Sequence, residues 1–547
     1  MPNKQFTILV CQGTGCISGE SQQIHSSLEK EISGRALSEG IQIKRTGCHG
    51  FCQRGPLVVV EPEGIFYSKV QPDDIPDIIQ SLLLHGKPVE RLLYRDPHSG
   101  EPVPYYRNIL FYLRQQRLVL RNCGNIDPEN IEDYLATGGY QALGKALLKM
   151  TSGQIINEVS RSGLRGLGGA GFPTGQKWEA CYKAEGSEKY VICNADEGDP
   201  GAFQDRSVME GDPHSVLEGM IIAAFAVGAR RGFIYVRAEY PLAVKRLGIA
   251  IAQAEEKGFL GSNILNSGFD FDVGIFQGAG AFVCGESTAL VQSIEGNRGF
   301  PKPLPRPRTT EVGLWDKPTL LNNVKTFANI PLIIARGSDW FASHGTEKNK
   351  GTAIFSLTGK VANCGLIEVP MGTKLREIIY DIGGGIPEGK DFKAVQTGGP
   401  SGGCLPASLL DMPVDFDSLT AAGSMMGSGG MVVMDENTCM VDVARYFLDF
   451  TQRESCGQCI PCRVGTKQMF DVLDDIAKGQ GKPEDIELLL ELAESVASTS
   501  LCALGQTAPN PVLTTIRYFR HEYEAHINEK RCPAGVCQAL VSEAGAH

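Results

Sequence analysis

The spacing of apolar residues changes character several times along the chain. Short apolar runs bounded by turn residues favour strands, and apolar positions returning every three to four residues favour helices. Phe6 to Val10 reads as a strand, Ser21 to Ile32 as a helix, Ile41 to Ile43 and Leu57 to Glu61 as strands, and Pro76 to Leu84 as a closing helix. Beyond 150 strands and helices alternate: Tyr190 to Ile192, the apolar helix Val216 to Val227, the strand Gly232 to Val236 and the amphipathic helix Leu242 to Lys257. Beyond 345 come the short strands Thr352 to Leu357, Gly365 to Pro370 and Ala394 to Thr397, with glycine turns such as Gly383 to Gly385 and one helix, Leu375 to Ile382. From 435 the pattern is helical and includes the amphipathic stretch Pro483 to Ala497. These periods predict a multidomain α/β chain. The expected divisions are 1–95, a connector at 96–150, then 151–345, 346–430, a helical 431–530 and a tail at 531–547. Arg114, Arg117 and Arg121 in the connector read as a solvated face without chemistry.

At 547 residues the chain can bury several cores. A net charge of −11 argues against nucleic-acid binding and shows no basic membrane patch. No apolar run reaches bilayer length, so direct membrane insertion is not expected. The start, MPNKQFTILVCQGTGC, lacks the apolar core and cleavage site of a signal peptide, and the expected compartment is the cytoplasm. In a long chain of that kind, clustered cysteines among the 17 present point to metal rather than to disulfides.

Two groups of cysteines have ligand spacing. Cys11 and Cys16 (C-x4-C) with Cys48 and Cys52 (C-x3-C) suit a 2Fe–2S cluster with four thiolate ligands. Zinc is the alternative, although C-x2-C pairs are commoner there. Paired structural thiols come third, and a thiol-redox role fails because the C-x2-C redox spacing is missing. Cys456, Cys459 and Cys462 form C-x2-C-x2-C, and a remote Cys502 completes a 4Fe–4S set.

Four further runs carry binding chemistry. In GLRGLGGAGFPTGQKW (Gly163 to Trp178) clustered glycines let backbone N–H groups approach an anion ahead of a helix, which makes a phosphate cradle. CNADEGDPGAFQDR (Cys193 to Arg206) places amide and carboxylate groups at the carboxyl end of a strand, where ligands of open α/β sheets bind. The others are GAGAFVCGESTAL (Gly278 to Leu290) and Leu320-Leu-Asn-Asn-Val324.

In this order the four runs resemble the family of NADH- and FMN-binding flavoprotein subunits of respiratory complex I and of NAD-linked, electron-bifurcating hydrogenases and formate dehydrogenases. The resemblance spans roughly Leu135 to Glu524 and comes nearest to the hydrogenase beta (diaphorase) subunit. It implies a thioredoxin-like 2Fe–2S domain, a Rossmann-like FMN/NAD domain, a ubiquitin-like (soluble-ligand-binding) β-grasp domain and a C-terminal helical bundle with the 4Fe–4S cluster beside the flavin. It implies that Gly166, Gly168 and Lys177 hold the FMN phosphate, that Asn194, Asp196 and Glu197 face the ribityl chain and ring edge, that Gly285 and Glu286 close over the flavin, and that Asn322 and Asn323 reach the phosphate. Glu286 and Asp199 are the candidates for positioning the nicotinamide of NAD(H). Phe172 either packs on nicotinamide or adenine or anchors the glycine loop.

The sequence departs from the complex I pattern at Ser287, where a second glutamate is usual, and at Phe282, where tyrosine is usual. Within Gly296 to Arg308, Lys302, Arg306 and Arg308 are the available cations. The tail resembles the bifurcating hydrogenase relatives, which carry zinc near this point. There Cys532, Cys537, His526 and Cys439 form the expected ligand set, with His521 competing. The relatives' two-cluster ferredoxin domain has no counterpart after Cys537. The expected partners are a thioredoxin-like 2Fe–2S subunit, a larger iron–sulfur catalytic subunit of a hydrogenase or formate dehydrogenase, and ferredoxin. The alternative is an electron-transfer subunit that keeps FMN and the clusters but binds no NAD.

Overall fold

The computed structural model describes residues 5–84, 87–303 and 305–541. The remaining positions of the expected first domain and tail, and Leu304 of the Gly296–Arg308 loop, lie outside the described residues.

The N-terminal unit runs β1 (Phe6–Cys11), α1 (Ser21–Gly34), β2 (Ile41–Thr46), β3 (Val58–Glu61), β4 (Ile65–Tyr67) and α2 (Ile75–Leu84). Its sheet has the order β2-β1-β3-β4, with β1 parallel to β2 and the other pairs antiparallel. Side chains of a strand alternate between faces, so Ile8, Val10, Val58 and Val60 meet Ile24 and Leu28 of α1 and Ile78 of α2. The opposite face, with Leu9, Val59 and Phe66, packs against other parts of the chain, including Phe111 of the connector and Ile367. Phe51 stacks on Phe111 with ring centroids 4.1 Å apart and planes 9° from parallel.

The connector is therefore an internal strap. The carboxylate of buried Glu368 accepts from the N–H groups of Val119 and Leu120 at 3.0 and 2.9 Å. Of the three arginines expected on a solvated face, only Arg114 is exposed. Arg117 and Arg121 are half-buried and donate to the carbonyls of Cys123 (3.2 Å) and Leu118 (2.9 Å), because buried carbonyls need a donor.

The second sheet is wholly parallel and has the order β8-β5-β6-β7, built from β5 (Tyr190–Ala195), β6 (Arg231–Arg237), β7 (Asp272–Gly278) and β8 (Thr319–Asn323). Its helices are α3 (Thr174–Lys183), α4 (Gln204–Gly211), α5 (Pro213–Val227), α6 (Pro241–Glu256), α7 (Ser287–Ile294) and α8 (Val324–Arg336). Parallel sheets need cover on both faces. Val191, Cys193 and Ile234 pack with Trp178 of α3, Leu217 of α5 and Phe327 of α8. Tyr190, Ile192 and Leu321 pack with α7 and with Cys462 and Cys502 of the helical region. α5 is buried almost throughout because its sequence is mostly apolar, and its buried Glu218 accepts from the Tyr134 hydroxyl and the N–H groups of Tyr140 and Leu143. Pro213 occupies its first turn, Asp212 caps it by accepting from the Ser215 N–H, and Gly228 ends it at φ +81°.

A third sheet has the order β10-β9-β13-β11-β12, from β9 (Thr352–Gly359), β10 (Gly365–Pro370), β11 (Phe392–Thr397), β12 (Gly403–Pro406) and β13 (Gly430–Asp435). The central strand β13 crosses residue 430, the boundary expected for this unit. Its run Gly-Met-Val-Val-Met-Asp is too short for its period to distinguish a strand from a helix start. The four longest helices that follow among the described residues are α9 (Met440–Arg453), α10 (Thr466–Ala477), α11 (Asp485–Thr499) and α12 (Asn510–Asn528). They meet around Leu448, Leu473, Leu489 and Val512. Among the described residues no helix is long and apolar enough to cross a membrane.

Candidate functional site

From β5 the chain proceeds through β6 and β7 on one side, then returns to place β8 on the other side of β5. The carboxyl ends of β5 and β8 form the point where the winding direction changes, the usual ligand crevice of such a sheet. Register pairs Asn323 with Asn194 there, and Asn322 with Cys193. A cavity of about 410 Å³ opens at this point. Its lining includes Phe172, Ser287 and Asn323, residues at or just before the first turns of α3, α7 and α8, so three helix N-termini border it. Such ends favour an anion.

The glycine loop forms one wall. Gly166 N–H donates to the Phe172 carbonyl at 2.8 Å, and Leu167 N–H to Thr326 Oγ1 at 3.0 Å. A Cβ on Gly168 would lie 3.0 Å from the Cβ of Asn323. Gly171 has φ +63°, and a side chain there would run into the Phe416 ring. Lys177 sits on the cavity wall and donates to the Leu321 carbonyl at 3.0 Å, leaving two ammonium protons free of that bond. Burial pulls its pKa down to about 8.

The carboxylates after β5 are held separately. Asn194 Nδ2 donates to the Gly285 carbonyl at 2.9 Å, and its Oδ1 accepts from the Asp196 N–H at 3.1 Å, tying the two loops together. Burial pushes Asp196 up to about 7 against the pull of Arg237, whose Nη1 is 3.6 Å away, and Asp196 Oδ2 is buried without a hydrogen-bond partner. Glu197 accepts from the N–H groups of Asp205 and Arg206 at 2.9 and 3.0 Å, so it caps α4 as well as lining the cavity. Asp199 is bonded by Ser428 Oγ and is pushed by burial to about 6. Glu286 caps α7 through the N–H groups of Thr288 (2.9 Å) and Ala289 (3.0 Å), and its other oxygen pairs with Arg306 at 2.9 Å.

Asn322 has its side chain in the core, where it accepts from Trp178 Nε1 at 2.8 Å and donates to the Leu321 carbonyl at 3.1 Å. Asn323 caps α8 through the Lys325 N–H and donates to Asp205. Phe172 is 36% exposed at the cavity, with the Arg308 guanidinium 5.6 Å from its ring centre. Gly285 and Ser287 also line the cavity, whereas Arg306 is turned to Glu286 and Lys302 Nζ is 4.0 Å from Asp316.

Sequence reasoning missed part of the wall. Gly398, Ser401, Met425 and Ser428 reach the cavity from the third sheet's loops, and Ala503 and Leu504 from the turn after Cys502. It also missed the Asp205–Lys325 pair, with Asp205 in the lining. No spacing links residues so far apart in sequence, although a carboxylate on the first turn of a helix after a glycine turn was visible.

The predicted thiol groups assemble. Cys48 and Cys52 Sγ are 3.5 Å apart, Cys48 Sγ accepts from the Gly50 N–H, and Cys11, Cys16 and Cys48 are buried. A Cβ on Gly13 would sit 2.8 Å from that of Cys48, and one on Gly55 2.9 Å from Cys16 Sγ, so both glycines are required by the approach of the loops. Cys456, Cys459, Cys462 and Cys502 share one cluster of side chains with Val283 and Leu504, which also line the cavity. Cys439, His526, Cys532 and Cys537 are all buried, with ligand atoms within 4.8 Å of one another. His521 is exposed and stands outside that group.

Four stretches of the chain match known families. Residues 159–332 match the Nuo51 FMN-binding domain, 442–526 the NADH-ubiquinone oxidoreductase-F iron-sulfur binding region, 1–83 the thioredoxin-like [2Fe-2S] ferredoxin and 354–405 the SLBB domain. The NADP-reducing hydrogenase subunit HndC of Solidesulfovibrio fructosivorans is 58% identical over 429 residues, 78% of this chain and 87% of that protein. The second F subunit of NADH-quinone oxidoreductase in Rhizobium meliloti is 46% identical over 416 residues, 76% of this chain and 99% of its own length. A solved NAD+-reducing [NiFe]-hydrogenase chain superposes with a TM-score of 0.67 at 28% identity, covering 96% of this chain and 85% of that one.

Proposed function

The chain belongs to the family of FMN-binding and iron–sulfur-binding flavoprotein subunits that occur in NADH-quinone oxidoreductases and hydrogenases, and from that premise we propose that it works as the diaphorase subunit of a larger oxidoreductase. The observation that carries this reading is the shared wall: Leu504, two residues after Cys502, lines the same cavity as Lys177, Asn194 and Asp196. FMN bound there supplies the exchange between the hydride of NAD(P)H and single electrons. The cavity fits that group. Its glycine wall admits a close backbone approach, the uncapped N-terminus of α3 and the free protons of Lys177 suit a phosphate, and the unpartnered Asp196 Oδ2 awaits a donor such as a ribityl hydroxyl.

The chain's own residues bind and orient. Asn194 holds the loop of Gly285 at a fixed height above the carboxyl end of β5. Asn322 and Asn323, both bonded within the protein, fix the floor, so their part in phosphate binding is to set the backbone at the start of α8. Phe172 under Arg308 offers a flat, partly exposed surface for nicotinamide or adenine, and Asp199 and Glu286 lie on the lining for positioning it. The cysteines of the helical region hold a 4Fe–4S cluster beside the cavity, and the N-terminal four hold a 2Fe–2S cluster.

For the buried Cys439–His526–Cys532–Cys537 group we propose a structural zinc. A tetrahedral site with Zn–S about 2.3 Å and Zn–N about 2.0–2.1 Å has edges of about 3.8 Å between sulfurs and about 3.5 Å from nitrogen to sulfur. Here Cys439 and Cys537 Sγ are 3.7 Å apart, and His526 Nε2 lies 3.5 and 3.4 Å from them. His526 Nδ1 bonds the Glu522 carbonyl at 2.7 Å, which leaves Nε2 as the free acceptor, the usual outer-shell arrangement of a metal-bound histidine.

The third unit, with its central β13, is inferred to be the β-grasp domain of the family. The partners inferred are a thioredoxin-like 2Fe–2S subunit and a larger iron–sulfur subunit of a hydrogenase or formate dehydrogenase, with ferredoxin as a further electron partner. Support for a docking face comes from Ile460 and Val464, 66% and 41% exposed, on either side of Cys462. Steady-state oxidation of NADH and NADPH with an artificial acceptor tests the activity. Turnover with at least one supports it, and none with a fully flavinated chain returns the electron-transfer subunit without nucleotide.

A further inference from the structure

We propose that Arg206 is a positioning residue for the N-terminal iron–sulfur site: its guanidinium makes the cluster held by Cys11, Cys16, Cys48 and Cys52 easier to reduce, and its helix ties that site to the cofactor cavity.

Helix α4 joins the two places. Its first turn is capped by Glu197, a cavity residue, through the N–H groups of Asp205 and Arg206. Its last turn receives both loops that carry the N-terminal cysteines. Thr14, between Cys11 and Cys16, donates to Glu210 through its N–H at 3.0 Å and its hydroxyl at 2.5 Å. Gly47, next to Cys48, lies directly on Gly211, and a Cβ there would overlap the Gly211 backbone. Buried Arg246 of α6 clamps the junction, donating to the carbonyls of Gln12 (3.0 Å) and Glu210 (2.6 Å). From Asp205 on the cavity to Gly211 under the cysteine loops is about 9 Å along the helix axis.

Arg206 stands between these ends with its charge only loosely matched. Its guanidinium lies over the Tyr240 and Phe203 rings at 5.5 and 5.8 Å. Its Nε is 3.8 Å from Glu210 Oε1, beyond hydrogen-bond distance, and is buried without a hydrogen-bond partner. The same Glu210 Oε1 accepts the Thr14 hydroxyl, so the guanidinium stands one carboxylate away from the loop between Cys11 and Cys16. Reduction adds negative charge to a cluster, and net nearby charge is one of the settings of its potential. A cation there favours the reduced form, and Glu210 opposes it.

The test is a redox titration of the full cofactor-loaded chain followed by EPR, with the 4Fe–4S signal as internal reference. Arg206→Gln is expected to lower the equilibrium constant for one-electron reduction of the 2Fe–2S centre about tenfold, about 59 mV for such a couple. The 4Fe–4S centre stays in place, and Arg206→Lys, which keeps the charge, returns most of the shift. An unmoved 2Fe–2S potential in Arg206→Gln with normal iron content overturns the proposal. Should that variant lose the N-terminal cluster, Glu210→Gln gives the opposite sign: the centre becomes easier to reduce, and an unmoved or lowered potential overturns the proposal. The inference rests on the 2Fe–2S reading of the four cysteines. Failure of that reading is recognised separately, by an unmodified chain that carries no 2Fe–2S signal at all.

Discussion

Asp205 and Lys325 form an ion pair at 2.8 Å with side chains only 4% and 2% exposed, and Lys325 Nζ also donates to the Ser428 carbonyl at 3.0 Å. The pair joins the helix behind the cavity to the loop of the third sheet that closes it. Removing one partner leaves an unmatched buried charge, which costs about 3–5 kcal/mol. Lys325→Met is therefore expected to lower the unfolding midpoint strongly and to reduce bound flavin. The double variant Asp205→Asn with Lys325→Met recovers part of the loss, which a double-mutant cycle of thermal midpoints measures.

Flavin-free stability depends on the carboxyls after β5. Burial holds Asp196 at about 7 and Asp199 at about 6, and raises Glu197 as well. A carboxyl whose folded pKa lies above its unfolded one binds more protons when folded. Its favourable contribution is complete below the unfolded value and is lost as pH rises through the folded value. Between about pH 5 and pH 8 the flavin-free chain is expected to lose thermal stability. Asp196→Asn flattens that profile and also weakens FMN binding. Calorimetry across this range, with flavin content measured beside it, checks both.

Phe172→Ala is expected to raise the KM for the nicotinamide nucleotide about tenfold, roughly 1.4 kcal/mol, since it removes a flat contact without touching the glycine cradle. Flavin content stays at the parent level. A fall in flavin content with unchanged KM assigns Phe172 to the loop instead.

The tail metal is expected at one zinc per chain by elemental analysis. Cys439→Ala or His526→Ala removes it and lowers the midpoint, because a closed structural site contributes directly to folding. Affinity falls as pH falls, since thiols and imidazole must lose protons to bind. The iron signals remain. Zinc content unaltered in both variants assigns the metal elsewhere.

Cysteines at ligand spacing were fully legible, because a metal corner is local: Cys456, Cys459 and Cys462 span two turns of chain. Cys439 and His526 are legible through likeness to relatives rather than spacing, and their meeting depends on α9 and α12 packing together. The glycine loop and the strand end at Asn194 were legible for the same local reason as the cysteines. What escaped was made by tertiary contact. Glu286 caps α7 and pairs with Arg306 twenty residues on, an ion pair that no local spacing announces. Arg117 and Arg121 look like surface charge, yet they satisfy buried carbonyls. β13 lies in the middle of a sheet whose partners begin some eighty residues earlier, and nothing in six residues announces that.

The central claim is hydride exchange at the cavity with onward passage of electrons within the same chain. Anaerobic titration of the reconstituted, full-length protein with NADH, and in parallel with NADPH, tests it most directly, with flavin absorbance and cluster EPR read on the same samples. Bleaching of the flavin at close to one equivalent of nucleotide, with electrons appearing on a cluster, is the predicted result. Flavin that dithionite reduces but neither nucleotide bleaches would contradict it.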